Sequence, residues 1–344
     1  MRVRPYLFYD VAISICSTCF RRADAKVVFQ DDRVFMIKRC AEHGYERILI
    51  ADDVDYYRRC REVFIKPLEM PVRYNTPVKW GCPYDCGLCT DHEQHSCLSL
   101  VEIADACNLR CPVCYASSGP DRPVFRSLAH VERMLDAVVA NEGEPDVLQM
   151  SGGEPTIHPD FFAVLDAAKQ RPIRHLMLNT NGIRIAESEE FAARLAEYMP
   201  QFEVYLQFDS FERDALLDLR GADLRRVREQ ALERLNRHGI STTLVVTVKR
   251  GVNDHEIGKI VDFALTQPCV RGVTLQPVQV AGRHDRFDPA TDRLTLTEVR
   301  RRILEQTNVF RPEDVIPVPC HPDSLAMAYA LKLGARVVPL TGLI

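Results

Sequence analysis

From residue 98 onward, the sequence alternates apolar runs rich in β-branched residues with amphipathic helical stretches. This alternation is typical of βα units wound around a mainly parallel sheet. The runs that predict strands cover residues 98–104, 147–151, 174–180, 203–209, 241–248 and 272–278. Together these strands predict an α/β fold in which residues 98–281 form a partial (β/α)6 barrel of the TIM type.

Helix signals fill the intervals between the predicted strands. One helix is predicted to have Asp223 as its N-cap and to stop at Gly239 in the C′ position. A second is predicted over residues 254–266, and a third opens at Thr297. A proline-rich link then leads to a last helical stretch, so residues 282–344 predict a short C-terminal extension.

The placement of the cysteines sets the first part of the chain apart. Eleven of the 13 cysteines lie before residue 115. In a long chain without a signal peptide, cysteines more often bind metal or act catalytically than form disulfides. Residues 1–78 therefore predict a small metal-stapled domain with short strands, and residues 79–97 predict a cluster-binding segment.

Charge and hydropathy exclude several classes of function. A formal net charge of −4 gives no basic footprint for a nucleic-acid partner. No apolar run reaches the roughly 18 residues expected of a membrane span, and the first residues lack a signal-peptide core. We therefore expect a cytoplasmic protein without a membrane span.

The segment CNLRCPVCYA follows the first predicted strand and places Cys107, Cys111 and Cys114 on one tight loop. Three thiolates at this spacing can bind three irons of a [4Fe-4S] cubane and leave the fourth iron open. The alternative is a zinc site, which usually pairs CxxC with another CxxC or with histidines. The CxxxCxxC spacing, followed by the aromatic Tyr115, resembles the radical S-adenosylmethionine (SAM) superfamily.

This resemblance implies a cofactor arrangement. The three cysteines would be catalytic ligands of a [4Fe-4S] cluster whose open iron binds SAM, with Tyr115 beside the cofactor. Reductive cleavage of SAM would then give a 5′-deoxyadenosyl radical.

The segment SGGEP ends the second predicted strand. Glycines allow close approach of the backbone to a ligand, and barrel active sites form where strands end in βα loops. In the radical SAM superfamily the matching GGE contacts the SAM amino group, so the resemblance implies this role for Gly152, Gly153 and Glu154. Taken alone, a GGEP turn is usually only a turn.

Polar side chains also follow the later predicted strands. We predict that Asn179, Asp209 and Ser210 contact the ribose or methionine part of SAM, with Thr247 as a further candidate. Capping and turn formation are the competing roles for each of these residues.

Two more cysteine groups precede the radical motif. The segment GCPYDCGLCTDHEQHSC predicts an auxiliary [4Fe-4S] cluster that is fully ligated by Cys82, Cys86, Cys89 and Cys97. His92 and His95, in the same segment, are predicted to be solvated loop residues. Upstream, two metal-binding pairs predict a tetrahedral site for zinc or mononuclear iron. That site is formed by Cys16, Cys19, Cys40 and His43.

Three cysteines lie outside these groups. Cys60 is either a substitute for His43 or a buried thiol, which is the commoner state. Cys269 is predicted to be structural, and Cys320 has too few partners nearby in the sequence to define another cluster.

The order of these motifs, continued by NTNG, LQFDS and a late PCHP, resembles the family of archaeal tetraether lipid synthases, whose relatives include pterin methyltransferases. The resemblance covers most of the chain and is specific over residues 81–115. It implies auxiliary and rubredoxin-like centres, and an electron donor such as ferredoxin or flavodoxin. The sequence departs from the family near its end, where only Cys320 remains.

Three functions are compatible with these motifs. The first is hydrogen abstraction from an unactivated carbon, for carbon–carbon bond formation on a lipid chain. The second is methyl transfer to a pterin-like or other small heterocycle, which yields S-adenosylhomocysteine. The third is non-catalytic zinc or iron–sulfur electron transfer. An elongated apolar cavity beside Cys111 and Glu154 would favour the lipid, and a short polar pocket would favour the heterocycle.

Overall fold

The protein is described by a computed structural model that covers residues 4–64, 69–92, 94–318, 321–334 and 336–343. Cys320 lies outside the described residues. The chain begins with a four-stranded antiparallel sheet in the order β1-β2-β3-β4, followed by a helix, α1. Their bounds are β1 (Leu7–Ile15), β2 (Arg22–Gln30), β3 (Arg33–Cys40), β4 (Gly44–Ala51) and α1 (Val54–Glu62).

The small N-terminal domain has its own core, formed by Val27, Val34, Ala51 and Tyr57. Alternate residues of β2 are buried, as expected of a sheet with one covered face. In this meander the β1–β2 and β3–β4 turns lie at the same end of the sheet. The predicted strand pieces of this region lie within β2, β3 and β4, whereas β1 was not predicted.

The predicted barrel sheet is confirmed. Six parallel strands pair in the order β5-β7-β8-β9-β10-β11, and the first and last strands do not pair with each other, so the barrel is partial. A two-residue strand, β6, lies in the loop after β5. The strands are β5 (Leu98–Ala104), β6 (Val113–Cys114), β7 (Val147–Gly152), β8 (His175–Thr180), β9 (Phe202–Gln207), β10 (Thr242–Val248) and β11 (Val270–Pro277).

Helices cover the outer face of this sheet and enclose the main hydrophobic core. They are α2 (Leu128–Glu142), α3 (Phe161–Lys169), α4 (Ile183–Glu187), α5 (Glu189–Ala196), α6 (Arg213–Arg220), α7 (Arg225–Arg237) and α8 (Ile257–Thr266). A single 3-10 turn, Pro155–Ile157, follows β7.

Two predicted helix starts are wrong. Helix α7 has Leu224 rather than Asp223 as its N-cap, and the Asp223 carboxylate accepts from both the amide, at 3.3 Å, and the side chain of Arg225. Helix α8 begins three residues after Asp254, whose carboxylate instead accepts from the Gly251 amide and binds Arg302.

Beyond the sheet, the C-terminal segment packs on the N-terminal domain and on α8. Its elements are β12 (Arg283–His284), α9 (Leu296–Gln306), β13 (Ile316–Pro317), β14 (Ala326–Met327), β15 (Ala330–Leu333), β16 (Arg336–Pro339) and a 3-10 turn, Thr341–Leu343. Among the described residues, no helix is long and apolar enough to cross a membrane.

This segment contains two further corrections. Thr295, in a capping box with Glu298, opens α9, whereas Thr297 lies inside the helix and binds Asp52. The predicted last helix is instead an antiparallel hairpin of β15 and β16. Gly334 occupies its turn with φ of +61°, and the β-branched Val337 and Val338 favour the extended conformation.

Candidate active site and metal centre

The loop after β5 carries the three cysteines of the radical motif to the carboxyl end of the sheet. Cys107, Cys111 and Cys114 line one cavity of about 410 Å³ together with residues that follow the other barrel strands. We call it the cluster cavity. Its position matches that of active sites in barrels, which form from the loops at the carboxyl ends of the strands.

Contacts from distant parts of the chain hold this cluster loop in place. Arg283 donates from Nε to the Cys111 carbonyl at 2.6 Å and from its terminal nitrogen to the Ser118 carbonyl at 2.8 Å. Strand β12 pairs with β6 through Arg283 and Cys114. Asn181 donates to the side chain of Asn108 at 2.7 Å. The geometry of the cysteines is therefore set by the C-terminal segment as well as by the loop itself.

The environment of the thiols fits an iron–sulfur cluster. Burial raises the pKa of the Cys107 thiol to about 12, although the Leu109 amide donates to its sulfur at 3.4 Å. Burial also raises the pKa of Cys111, and Arg220 acts in the opposite direction. Iron cations would supply the charge that keeps such sulfurs ionised. No fourth thiol appears among the described residues that line the cavity, so the donor set leaves one iron of a cubane without a protein ligand.

The two glycines of the GGE segment approach the protein's own backbone. Gly152 has φ of +124°, and a Cβ on either Gly152 or Gly153 would collide with the carbonyl oxygens of Ala104 and Ala106. The Gly153 amide donates to Ala104 at 2.7 Å, and the Glu154 amide donates to Ala106 at 2.9 Å. These glycines thus dock the end of β7 directly against the start of the cluster loop.

Glu154 is buried at the base of the cavity. One carboxylate oxygen accepts from the Thr156 amide and hydroxyl at 3.1 and 2.6 Å and from the Thr180 hydroxyl at 2.7 Å. The other accepts from the Asn181 amide at 2.7 Å. Burial raises its pKa, whereas these donors lower it. Glu154 therefore ties the loops after β7 and β8 together.

A continuous belt of polar side chains crosses the interior of the cavity. Tyr115 Oη lies 2.9 Å from Ser151 Oγ, which accepts from Asn179 at 3.2 Å. Gln207 donates to Asn179 Oδ1 at 2.8 Å and accepts from Arg220 at 2.8 Å. The belt begins at the cluster loop and reaches the fourth barrel strand, so a ligand would meet polar groups on this side of the cavity and apolar side chains such as Leu109 and Val278 elsewhere.

Arg220 is the one guanidinium among the described residues that line the cluster cavity. It pairs with both carboxylate oxygens of Asp209, at 2.8 and 2.5 Å, and donates to the Thr247 hydroxyl at 2.8 Å. Arg228 contacts Asp209 from the far side at 3.4 Å. Because these groups are buried, the pair keeps Arg220 charged beside Cys111.

Not every predicted contact residue lies in the cavity. Tyr115, Gly152, Gly153, Glu154, Asn179 and Thr247 line it. Asp209 and Ser210 do not. Asp209 is enclosed by its two arginines, and the Ser210 hydroxyl donates to Glu256. Their polar atoms therefore lie behind the cavity wall. Asp209 follows the end of β9 at Gln207 and has a positive φ of +67°.

The four predicted ligands of the N-terminal site come together. The ligand atoms of Cys16, Cys19, Cys40 and His43 all lie within 4.8 Å of one another. Cys19 Sγ and Cys40 Sγ are 3.8 Å apart, and His43 Nδ1 lies 3.7 and 3.6 Å from the sulfurs of Cys16 and Cys40. A zinc–sulfur bond of about 2.3 Å gives a tetrahedral edge of about 3.8 Å. The donor set and its spacing therefore fit one tetrahedral ion.

The predicted auxiliary-cluster loop is organised by Asp85. Its carboxylate accepts from the amides of Lys79, Trp80 and Gly81, and these bonds lower its pKa. Cys82 and Cys86 are exposed, whereas Cys89 is buried and Cys97 is half-buried. These thiols do not share a single-ion site of the N-terminal kind within the described residues. Thiolates that bind different irons of a cubane need not lie as close together as the ligands of a single ion.

His95 differs from its prediction. It is half-buried rather than solvated, with Nδ1 3.2 Å from Glu142 and Nε2 3.6 Å from Cys97 Sγ. Its ring therefore touches one of the predicted auxiliary ligands. His92 is exposed, as predicted. Cys60 and Cys269 are buried thiols outside the metal groups of the described residues.

Sequence reasoning missed two arginines of this site. Arg220 lies eleven residues after Asp209, directly before Gly221. The one signal that could have indicated it is that a buried carboxylate requires a nearby cation. Arg283 is 172 residues from the Cys111 carbonyl that it binds. No local pattern connects two residues at that separation.

Two family models match the chain. The model of the radical SAM superfamily matches residues 101–264, and the model described as the HMPTM N-terminal zinc ribbon domain matches residues 8–52. The matched ranges contain the cluster loop with most of the barrel and the four N-terminal metal ligands. The N-terminal domain is therefore a zinc ribbon with a Cys3His site.

Two curated relatives are similar over much of the chain. The 7,8-dihydro-6-hydroxymethylpterin dimethyltransferase of Methanocaldococcus jannaschii is 32% identical over 312 residues, which are 89% of this chain and 61% of that protein. The GTP 3′,8-cyclase of Syntrophomonas wolfei is 31% identical over 233 residues, which are 64% of this chain and 68% of that enzyme. The chain thus spans less than two thirds of the pterin dimethyltransferase.

Among solved structures, the fold is similar to that of Streptococcus suis SuiB bound to the precursor peptide SuiA. The TM-score is 0.51 at 15% sequence identity, and the match covers 86% of this chain and 70% of that chain. At this identity the similarity concerns the fold alone.

Proposed function

Because the chain belongs to the radical SAM superfamily and is a radical SAM enzyme, we propose that it methylates a carbon of a pterin-like heterocycle. The hydrogen atom of that carbon passes to the 5′-deoxyadenosyl radical and gives 5′-deoxyadenosine. A second SAM supplies the methyl group, and one electron from the external donor completes its conversion to S-adenosylhomocysteine. The polar belt from Tyr115 to Arg220 carries this proposal. Beside its apolar lining, this cavity presents hydroxyl, amide and guanidinium groups, and these groups match the nitrogen and oxygen atoms of a heterocycle.

The relatives support the same choice. The pterin dimethyltransferase is similar over most of this chain, and the GTP cyclase also acts on a nitrogen heterocycle. Both favour methyl transfer or related heterocycle chemistry over carbon–carbon coupling of lipids.

In this proposal, Cys107, Cys111 and Cys114 hold the radical [4Fe-4S] cluster, and SAM lies against the GGE segment. When bound, the cluster and SAM supply a primary carbon radical able to take hydrogen from an unreactive carbon. The protein orients the partners and excludes competing hydrogen donors. The Gly152–Glu154 backbone, together with Asn179, faces the SAM amino acid and ribose portions, and Asp209 acts by positioning Arg220.

The N-terminal half would serve electron delivery. We propose that Cys82, Cys86, Cys89 and Cys97 bind an auxiliary [4Fe-4S] cluster, because their loop directly precedes β5 and the radical motif. A ferredoxin or flavodoxin would be the external electron donor. Iron and sulfide analysis of the Cys86→Ala protein tests the auxiliary site, since it is expected to lose one cluster and retain the radical cluster.

The test of function is an anaerobic assay of the reconstituted protein with dithionite, SAM and 6-hydroxymethyl-7,8-dihydropterin that carries deuterium on its carbons. The proposal predicts deuterated 5′-deoxyadenosine and a methylated pterin, both detected by mass spectrometry. Cys107→Ala is expected to abolish both products, and Cys269→Ala, which removes a buried thiol outside the cluster cavity, is the matched control. A methyl group taken from SAM would also give S-adenosylhomocysteine.

A parallel assay replaces the pterin with a deuterated saturated ether lipid dispersed in detergent. Transfer of deuterium from the lipid, with none from the pterin, would contradict methyl transfer to a heterocycle and restore the lipid function. Absence of 5′-deoxyadenosine in every assay would reject radical SAM chemistry for this chain.

A further inference from the structure

A second cavity lies between the zinc ribbon and the barrel. It has a volume of about 870 Å³ and is lined by residues of the four ribbon strands, α1, the end of β11, the start of α9 and residues 322–325. We call it the ribbon cavity. Gln276, Pro277 and Gln279 line both this cavity and the cluster cavity, so the two spaces meet at the end of the last barrel strand.

The cluster cavity alone is small for two reactants. Ligand sites commonly have volumes of roughly 300–1,000 Å³, and a drug-sized ligand fills most of its pocket. SAM is itself of that size, so a cavity of about 410 Å³ leaves little space for a heterocycle beside it. The contiguous ribbon cavity supplies the missing volume on the side of Gln276.

The wall of the ribbon cavity combines flat apolar surfaces with hydrogen-bonding groups. Met36, Tyr57 and Leu296 provide apolar and aromatic surface, and Gln276 and Gln279 provide amides at the junction. The Gln276 amide donates to Tyr205 Oη at 3.0 Å and thereby connects the junction to the interior of the barrel. This composition suits a planar heterocycle that stacks on its faces and forms hydrogen bonds at its edges.

The wall of the ribbon cavity also contains a buried tyrosine, Tyr56. Tyr56 is only 5% exposed, and its hydroxyl has no hydrogen-bond partner among the described residues, with the weakly polar thiol of Cys60 beside it. The ring is fixed by the Arg300 guanidinium, 4.4 Å from its centroid. Because that hydroxyl oxygen has almost no accessible surface, a ligand in the cavity contacts the Tyr56 ring, and the hydrogen-bonding groups open to it include the amides of Gln276 and Gln279.

We propose that the ribbon cavity binds the heterocyclic substrate, with Gln279 as a hydrogen-bonding contact and with the reacting end directed past Gln276 toward the cluster cavity. This inference rests on the proposed function and names where its substrate binds. It also gives the zinc ribbon a role in forming a substrate site, in addition to stabilising its own fold.

The test uses reconstituted holoenzyme with SAM but no reductant, and oxidised 6-hydroxymethylpterin as a fluorescent, unreactive probe. Gln279→Leu removes the amide and keeps a side chain of similar size, so the Kd for the probe and the KM for the dihydropterin are expected to rise roughly three- to tenfold. Because Gln279 is exposed, the same substitution is expected to leave the Tm of the ligand-free protein unchanged.

Met36→Trp fills the cavity and is expected to weaken probe binding more than tenfold. Its matched control is Phe35→Trp on the opposite face of β3, where the ring packs against Arg47, and this control is expected to bind the probe as the wild type does. Zinc and iron contents show that each variant is folded.

The outcomes separate this inference from the proposed function. If the wild type methylates the pterin while Gln279→Leu and Met36→Trp retain its Kd and KM, the substrate lies elsewhere and this inference is overturned. If the wild type neither binds the probe nor methylates any pterin, the proposed function fails, and the assignment of this cavity to a pterin fails with it.

Discussion

The carboxylate of Asp209 and the guanidinium of Arg220 form a bidentate ion pair, at 2.8 and 2.5 Å, directly behind the cluster loop. Asp209 has no exposed surface, and the second arginine that contacts it, Arg228, is also buried. One carboxylate thus balances the buried Arg228 and the largely buried Arg220, and the Cys111 sulfur lies near Arg220. The position of Arg220 beside the cluster depends on this pair.

Replacing Asp209 by asparagine would leave two buried guanidiniums without their counter-ion. We expect Asp209→Asn to lower the free energy of unfolding by about 3–5 kcal/mol and to reduce the yield of 5′-deoxyadenosine. Guanidinium unfolding and product analysis measure the two effects. Asp223→Asn, which breaks the exposed pair with Arg225, is the control and is expected to change neither quantity. An unchanged stability of Asp209→Asn would contradict the role given to the pair.

The same pair predicts a dependence on acid. The charges of Arg220 and Arg228 lower the pKa of Asp209, although burial opposes them. A depressed folded-state pKa contributes stability that is present above the unfolded-state value, about 3.9 for aspartate, and is lost as the pH falls through the folded-state value. Unfolding of cluster-free protein at decreasing pH should therefore show a loss of stability below about pH 4 that is smaller in Asp209→Asn.

Glu154 serves the cavity by accepting four hydrogen bonds. Glu154→Gln would place an amide donor against groups that already donate, so we expect a loss of about 1–3 kcal/mol in stability and a lower yield of 5′-deoxyadenosine. Glu298→Gln, in the capping box of α9, removes another buried carboxylate and is expected to affect stability only. Equal loss of product in both variants would mean that Glu154 acts through global stability alone.

Gly282 follows β11 and lies against the cluster loop with φ of +62°. A Cβ there would collide with the carbonyl oxygens of Cys114 and Tyr115, so we expect Gly282→Ala to lower the iron content and the 5′-deoxyadenosine yield. Gly251 also has a positive φ, +71°, but open space where its Cβ would lie. Gly251→Ala therefore carries only the conformational cost of about 1 kcal/mol and should retain its iron. Equal iron content in the two variants would contradict the contact.

Loss of the N-terminal metal should be confined to one domain. Cys40→Ser is expected to remove zinc and to unfold the ribbon, because metal binding contributes directly to the folding of so small a core. Metal analysis and the Tm of the first unfolding step measure this. Cys60→Ser changes a buried thiol outside the site and should retain one zinc per chain. Full zinc content in Cys40→Ser would show that this cysteine is not a ligand.

Local patterns in the sequence predicted the six barrel strands correctly, because each strand is an apolar run of strand length and a helical stretch separates it from the next. They also predicted the N-terminal ligands, because the two pairs of metal-binding residues lie on two turns that a β-meander places at the same end of the sheet. The errors lie at helix starts and in the C-terminal hairpin. At the helix starts, Asp254 and Thr297 bind other side chains instead of capping the predicted helices, and the N-cap of α7 lies one residue after Asp223.

The cysteine spacing by itself determined the class of chemistry, because three soft ligands on one short loop can hold only a few kinds of metal group. The tertiary structure decided the surroundings of those cysteines. Arg220 and Arg283 reach the cluster loop from residues far along the chain, and the ribbon cavity exists only where β3, α1, β11 and α9 meet. Such contacts follow from packing between distant segments, and packing of that kind leaves no local pattern in the sequence.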